Sequence, residues 1–95
     1  MSKLYILASD LGSGSCKTVI LNHSGQVVAS AGAEYPTAYP YPGWVEQNPD
    51  DWYTAFAQTT RRVMAEAGLT ADQIALVGLV AVTHNTVLLD HQDRP

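Results

Sequence analysis

A short segment near the N-terminus combines the residue types that bind phosphate. Its candidate phosphate-binding residues are Gly12, Ser13, Gly14, Ser15 and Lys17, preceded by Asp10 as a candidate Mg²⁺ ligand. Glycines let the backbone approach an anion closely, and successive N–H groups can then form an anion-binding concavity. The serines add hydroxyl donors, the lysine adds a positive charge, and the carboxylate can bind Mg²⁺ directly or through water. The composition favours a phosphate site, although a tight hairpin whose aspartate bonds its own loop would share it.

Two widespread nucleotide-binding motifs do not fit this segment. A Walker A loop requires glycine directly before the lysine and another glycine five residues earlier, whereas these positions hold Cys16 and Leu11. A dinucleotide-binding fingerprint requires a third glycine and a following helix. Here Ser15 takes the place of that glycine, and residues 17–22 have the pattern of a strand. The segment is therefore predicted to be a strand–turn–strand hairpin with an acid at its base.

The elements around this loop follow from alternating apolar runs and turns. Residues 4–9, 16–22 and 26–34 have strand patterns, and the short connections between them predict an antiparallel meander. Residues 35–48 alternate aromatics with prolines, which excludes a helix or a central strand. We expect an extended connector there rather than a proline-rich ligand for another domain.

A helix and a buried strand complete the predicted architecture. Asn48 is a strong N-cap, Pro49 suits the first helical position, and Gly68 suits the end of the helix. Residues 74–82 are almost unbroken apolar residues, which is typical of a strand buried on both faces and parallel to its neighbour. A right-handed crossover places this strand beside the first one. Residues 86–90 are predicted to form one more short strand.

Composition limits the classes of function. The chain has 95 residues, 46% of them hydrophobic, which supports one small globular domain. Its net charge is −4 and its few basic residues form no patch, so nucleic acid is not an expected partner. A single cysteine excludes an internal disulfide and fits a reducing compartment. No apolar run approaches the ~20 residues of a membrane span, so we expect no membrane partner and a cytoplasmic protein.

Two motifs in order carry a family resemblance. Residues 10–17 resemble the first phosphate motif of the actin, Hsp70 and sugar-kinase superfamily. Residues 42–52 resemble an N-terminal hallmark of the FGGY carbohydrate kinases, above all those acting on xylulose and related sugars. The resemblance implies an α/β fold, a partial ribonuclease-H-like (actin-like ATPase) domain of order β-β-β-α-β, with an antiparallel meander plus a parallel strand. Residues 1–95 would then form an incomplete N-terminal part of the first domain, with no second domain present.

The resemblance also implies a reaction and its cofactors. Family members transfer the γ-phosphate of ATP to a sugar hydroxyl with Mg²⁺, and a pentulose such as xylulose is the expected substrate, with glycerol, ribulose or another polyol as alternatives. Asp10 would lie near the metal, and Thr83 and His84 would bind the sugar. The ATP phosphates would be held by residues 12–15 and Lys17. The residues around His84 depart from the usual Gly-Gln-Met-His-Gly of xylulose kinases, so the sugar stays open.

Several expectations concern activity and association. The general base that takes the hydroxyl proton is expected beyond residue 95, so the chain alone is expected to be inactive; the alternative is a non-catalytic structural or binding module. Trp44, Glu46 and Gln47 are either sugar contacts or residues that pin the connector. Cut from its neighbours, the strand at 74–82 would have an uncovered face or edge, which predicts self-association.

Overall fold

The computed structural model describes residues 5–82 and 86–95 of the chain. Its elements are β1 (Tyr5–Leu11), β2 (Ser15–Leu21), β3 (Val27–Glu34), α1 (Pro49–Ala67), a 3₁₀ turn (Ala71–Gln73) and β4 (Ile74–Ala81). They form one four-stranded sheet in the order β3-β2-β1-β4. The β1–β2 and β2–β3 pairs are antiparallel and the β1–β4 pair is parallel. This arrangement confirms the predicted α/β class and the position of the last strand beside the first.

Helix α1 begins and ends where its local chemistry predicts. The Asn48 side chain accepts a hydrogen bond from the Asp50 N–H, and Pro49 occupies the first helical position. Gly68 ends the helix in the left-handed conformation, with φ 69°, which favours glycine. Both ends of the helix are thereby fixed by residues adjacent in sequence, and the orientation of the connector that enters it is set at Asn48.

The core lies between α1 and the sheet in two clusters. One consists of Leu7, Ile20, Ala29 and Val63. The other lies nearer the β1–β2 turn and consists of Cys16, Tyr35 and Ala55, with Trp52 and Phe56 packed against it while partly exposed. The second cluster packs at the base of the predicted phosphate loop, where Leu11 and Cys16 flank the turn.

A buried chain of hydroxyl groups crosses from the sheet to the helix near this second cluster. Ser9 and Thr18 lie 2.8 Å apart through their oxygens, and Thr18 and Thr59 lie 2.7 Å apart. Thr59 donates its only proton to the Ala55 carbonyl at 2.9 Å, so it must accept from Thr18, which in turn accepts from Ser9. The Cys16 thiol, 3.3 Å from the Ser9 oxygen, is left to donate at the head of the chain. The bonds therefore run in one direction, from β2 into α1.

Strand β4 pairs as predicted and is exposed as expected for a strand with an uncovered face or edge, whereas the expectation that both its faces are buried is wrong. Leu76 is 59% exposed, Val77 50%, Leu79 59% and Val80 67%. The reason is that α1 lies over β1, β2 and β3, while β4 occupies the edge of the sheet. The sequence predicted that β4 lies beside β1, but it did not indicate that α1 leaves β4 uncovered.

The predicted short strand at 86–90 is also wrong. These residues form no strand, because a strand needs a neighbour for its backbone hydrogen bonds and they pair with none of the described residues. They lead into a polar turn in which the Asp90 carboxylate accepts from the Gln92 and Arg94 amides. The backbone bond from Arg94, followed by that from Gln92, lowers the pKa of Asp90 below its ordinary value.

Within the part of the chain described, no helix is long and apolar enough to cross a membrane.

A candidate phosphate loop beside a pocket

The β1–β2 turn closes tightly at its base. The Gly12 N–H donates to the Ser15 carbonyl at 2.9 Å. A Cβ at position 12 would lie 3.1 Å from that same oxygen, closer than ordinary van der Waals contact. Glycine at this position therefore reflects a close backbone approach.

The carbonyls of the turn are held by the body of the domain. The Ser13 carbonyl accepts from Gln47 Nε2 at 2.8 Å, and the Gly14 carbonyl accepts from the Tyr35 N–H at 3.0 Å. Because a trans peptide points its C=O and its N–H in opposite directions, the Gly14 and Ser15 N–H groups face away from these partners. The N–H groups of Ser13 and Gly14 donate to no described residue. Two adjacent free donors at an exposed turn are suited to an anion.

Asp10 and Lys17 lie opposite each other across the β1–β2 ladder. Their neighbours Ser9 and Thr18 are buried toward α1, so both charged side chains project from the other face of the sheet and are exposed. Directly opposed residues have Cβ atoms about 5 Å apart. The sequence-predicted phosphate and metal residues are thus brought together at the base and tip of one hairpin.

The donor set fits Mg²⁺ bound with a phosphate rather than in a protein cage. No group of three or more His, Cys, Asp or Glu side chains occurs among residues 5–82 and 86–95 that could hold a metal. Mg²⁺ characteristically keeps several waters and binds through one or two carboxylates together with substrate phosphates. Asp10, exposed next to the turn, provides one such carboxylate.

A pocket of about 800 Å³ adjoins the turn. It lies at the carboxyl ends of the parallel strands β1 and β4, the end of an open α/β sheet where ligands usually bind. Its lining comes from the strand ends, the turn, the connector and α1: Leu11, Gly12, Ser13, Tyr35, Val45, Glu46, Gln47, Trp52, Ala81, Val82, Thr86 and Val87. The turn therefore forms part of the wall of a cavity large enough for a small polar molecule.

Gln47 is committed to holding the structure together. Its Nε2 donates to the Ser13 carbonyl at 2.8 Å and to Thr37 Oγ1 at 3.0 Å, and its Oε1 accepts from Trp52 Nε1 at 2.9 Å. Both Nε2 protons and one oxygen lone pair are in use. Of the two interpretations of Gln47, the structure supports the one in which it pins the connector.

Glu46 behaves differently from its neighbour. Its backbone pairs with Ala38 through two hydrogen bonds of 2.8 and 2.9 Å. Its carboxylate forms no hydrogen bond or ion pair with the described residues, and the residue lines the pocket. Glu46 is therefore fixed in position with a free acceptor group at the cavity.

Trp44 packs within the connector. Its ring meets Tyr41 edge-on, with centroids 4.9 Å apart and an interplanar angle of 70°, and the residue is 54% exposed. It is not among the residues that line the pocket. This placement agrees with a role in shaping the connector.

Tyr35 is a site residue that the sequence did not single out. It is 6% exposed, and its buried hydroxyl has no hydrogen-bond partner among the described residues. Burial raises the pKa of Tyr35 above its ordinary value near 10.0, and the nearby Cys16 and Asp10 add to the rise. Nothing in the composition of residues 35–44 separates this tyrosine from the exposed Tyr39 and Tyr41.

The predicted sugar-binding residues Thr83 and His84 lie outside the described residues. They are flanked in sequence by Val82 and Thr86, which both line the pocket. Their role stays a prediction.

Comparison with known proteins defines the class. The chain matches the N-terminal domain of the FGGY family of carbohydrate kinases over residues 5–95. It is 38% identical over 90 residues to a glycerol kinase of Pasteurella multocida, a match that covers 95% of this chain and 18% of the relative. A glycerol kinase of Halothermothrix orenii is 34% identical over 96 residues, covering 100% of this chain and 19% of the relative. The chain belongs to the FGGY family of carbohydrate kinases, and it spans about a fifth of the length of the curated relatives it matches.

Solved structures give the same result for the fold. The crystal structure of a xyloylose kinase from Brucella ovis superposes with a TM-score of 0.80 at 29% identity, covering 95% of this chain and 19% of that one. A ligand-bound xylulose kinase from Lactobacillus acidophilus superposes with a TM-score of 0.83 at 23% identity, over 95% of this chain and 18% of that one. The predicted actin-like fold and the predicted family are both confirmed.

Proposed function

We propose that this chain supplies the first phosphate-binding loop and one wall of the substrate pocket of an ATP-dependent kinase of small polyols or sugars. The observation that carries the proposal is the β1–β2 turn. Its two carbonyls are anchored by Gln47 and Tyr35, its Ser13 and Gly14 N–H groups are free, and it forms part of the wall of the pocket. Family membership supports the same reading of the turn.

Positioning and charge are what phosphoryl transfer asks of a protein. Fixed N–H donors stabilise negative charge without having to reorganise, and Lys17 adds a positive charge within reach of the turn. Mg²⁺, held by Asp10 and the phosphates, would neutralise phosphate charge when bound. Each of these residues acts by binding and orienting the nucleotide.

A small polyhydroxylated substrate suits the pocket. Hydroxyl groups need acceptors as well as donors, and Glu46 offers a free carboxylate there. We retain Thr83 and His84 as further sugar-binding candidates. The sequence resemblance favours a pentulose such as xylulose, whereas the 38% identity to a glycerol kinase favours glycerol as the second candidate.

The chain by itself is proposed to bind without turnover. The general base is expected outside residues 1–95, and we assign Glu46 to substrate binding rather than to proton transfer. We propose a cytoplasmic location, in keeping with the buried free thiol of Cys16.

Titration of the ¹⁵N-labelled chain with Mg²⁺·ADP tests the binding proposal. We expect saturable shifts of the Ser13 and Gly14 amide resonances, weakened in Lys17→Met and Asp10→Asn, with Arg61→Met on the exposed face of α1 as the matched charge control. A chain that shows no saturable shift would instead fit the non-catalytic structural module. Assays of the chain with ATP and either glycerol or xylulose should show no turnover, and measurable phosphorylation would overturn the proposed inactivity.

A further inference from the structure

We propose that Gln47 is a positioning residue that couples occupancy of the phosphate loop to Trp52 in the wall of the neighbouring pocket. The inference rests on the proposed function, because it presumes that the loop binds phosphate. Gln47 lines the pocket, but both its Nε2 protons are already engaged, so it acts through the groups it holds.

Gln47 first fixes the orientation of one peptide group. Gln47 Nε2 donates to the Ser13 carbonyl at 2.8 Å, which turns the N–H of the same peptide, that of Gly14, toward solvent. If this bond were absent, the exposed Ser13–Gly14 peptide could rotate, since Gly14 has no Cβ to restrict it and open space around it. Gln47 therefore keeps a phosphate donor pointed at its ligand.

The side-chain amide of Gln47 also holds a residue of the pocket wall. Gln47 Oε1 accepts from Trp52 Nε1 at 2.9 Å, and both Ser13 and Trp52 line the cavity. An amide is a rigid planar group, so a displacement of Nε2 that follows Ser13 also displaces Oε1. A phosphate that displaces the Gly14 N–H thereby also displaces the indole of Trp52. A ligand that displaces Trp52 likewise displaces the loop.

The backbone on either side of Gln47 is held in place. The Ala38–Glu46 backbone pair fixes the residue just before Gln47, and Asn48 just after it is the N-cap of α1. The backbone of Gln47 is held on both sides, so motion is confined to its side chain. Such a side chain transmits a displacement instead of absorbing it by moving its backbone.

The chain offers an internal reference for the test. It contains two tryptophans, and Trp44 packs on Tyr41 and does not line the pocket. On titration of the ¹⁵N-labelled 95-residue chain with inorganic phosphate, we expect the indole N–H resonance of Trp52 to shift with the same saturation curve as the Ser13 and Gly14 amides. The indole resonance of Trp44 should not move.

Variants separate coupling from simple structural support. Gln47→Met, which retains the length of the side chain without its hydrogen bonds, should weaken phosphate binding about three- to tenfold and abolish the Trp52 response. Thr37→Val, which removes the other acceptor of Nε2, should change affinity by less than about twofold. Trp52→Phe removes the bond that anchors Gln47 Oε1 and should therefore also weaken phosphate binding.

Each outcome decides a different point. A wild-type chain with no saturable shift at Ser13 and Gly14 overturns both the proposed function and this inference. Saturable shifts at the loop with a silent Trp52, or wild-type affinity and an intact Trp52 response in Gln47→Met, overturn the inference alone. If Gln47→Met does not fold, Trp52→Phe decides, and phosphate affinity equal to wild type overturns the coupling.

Discussion

The indole Nε1–H of Trp52 donates to the Gln47 side-chain oxygen at 2.9 Å, joining the aromatic connector to the first turn of α1. Because Gln47 also holds the Ser13 carbonyl, the start of the helix and the tip of the β1–β2 hairpin share one amide. The predicted phosphate loop is thus supported by a residue 34 positions away in sequence.

Removing this amide should cost stability. Gln47→Met eliminates three hydrogen bonds, two of them partly shielded from solvent, so we expect the free energy of unfolding to fall by about 1–2 kcal/mol. Glu46→Met, its neighbour with no side-chain bond to the described residues, should stay within about 0.5 kcal/mol of wild type. Urea denaturation measures both, and equal losses would contradict the assigned role of Gln47.

The two loop glycines should differ in tolerance. Alanine at position 12 would place its Cβ 3.1 Å from the Ser15 carbonyl, whereas alanine at position 14 meets open space. We expect Gly12→Ala to destabilise the chain by about 1–2 kcal/mol and to weaken Mg²⁺·ADP binding, with Gly14→Ala near wild type in stability. Thermal unfolding with and without nucleotide tests this, and a costly Gly14→Ala with a neutral Gly12→Ala would disprove it.

The one-way hydroxyl chain predicts an order of costs. Thr59→Val leaves the Thr18 hydroxyl without an acceptor, and we expect a loss of about 1–3 kcal/mol. Ser9→Ala removes one acceptor of the weak thiol donor of Cys16, whose sulfur still lies 3.7 Å from the Thr18 oxygen and 3.6 Å from the Thr59 oxygen. It should therefore cost less, although it removes as many oxygens. The exposed Thr54→Val on α1 is the control. If Ser9→Ala proved the more damaging in chemical denaturation, the direction assigned to the chain would be wrong.

Tyr35 predicts a dependence on alkaline pH. Its pKa is raised in the folded chain, so the folded state holds the proton more tightly than the unfolded state does. Stability is therefore full below the ordinary tyrosine pKa near 10.0 and is lost as pH rises through the raised value. Tyr35→Phe should remove this loss and, by deleting an unpartnered buried hydroxyl, stabilise the chain near neutral pH. Tyr39→Phe, at an exposed site, is the control, and identical alkaline unfolding curves for all three chains would refute the prediction.

The uncovered strand β4 predicts self-association. It lies at the sheet edge with four large apolar side chains at least half exposed and no charge among residues 74–82. Such edges pair with other chains unless a charge or bulge blocks them. Leu76→Lys should shift the chain toward monomer in sedimentation, whereas Val27→Lys on the opposite edge strand should have a smaller effect. A wild-type chain that is monomeric at all concentrations would exclude this surface as an interface.

Local signals account for what the sequence predicted well. Asn48, Pro49 and Gly68 act on backbone groups within a few residues, so the ends of α1 followed from composition. The apolar run at 74–82 predicted a strand, and the handedness of crossover connections predicted β1 as its parallel partner. The turn between β1 and β2 follows from the same kind of local pattern, whereas its role in binding phosphate stays a prediction.

Long-range side-chain geometry determines the features of the fold and candidate site that the sequence did not predict. The bonds from Gln47 to Ser13 and Thr37 join separate segments, and no local pattern distinguishes them from contacts to a ligand. The burial of Tyr35 depends on its packing against Cys16 and Ala55. The uncovered face or edge of β4 was expected, but which residues are exposed depends on where α1 lies.

The Asp10 side chain and the pocket lie on opposite faces of the sheet, which bears on how ligands would reach the turn. Asp10 and Lys17 leave the sheet on the face away from α1, while the cavity opens on the helix side of the same turn. The hairpin therefore lies between the exposed Asp10 and Lys17 side chains on one face and the pocket on the other. In the proposed function, the charged groups that bind the nucleotide and the wall that contacts the sugar would belong to opposite faces of the same turn.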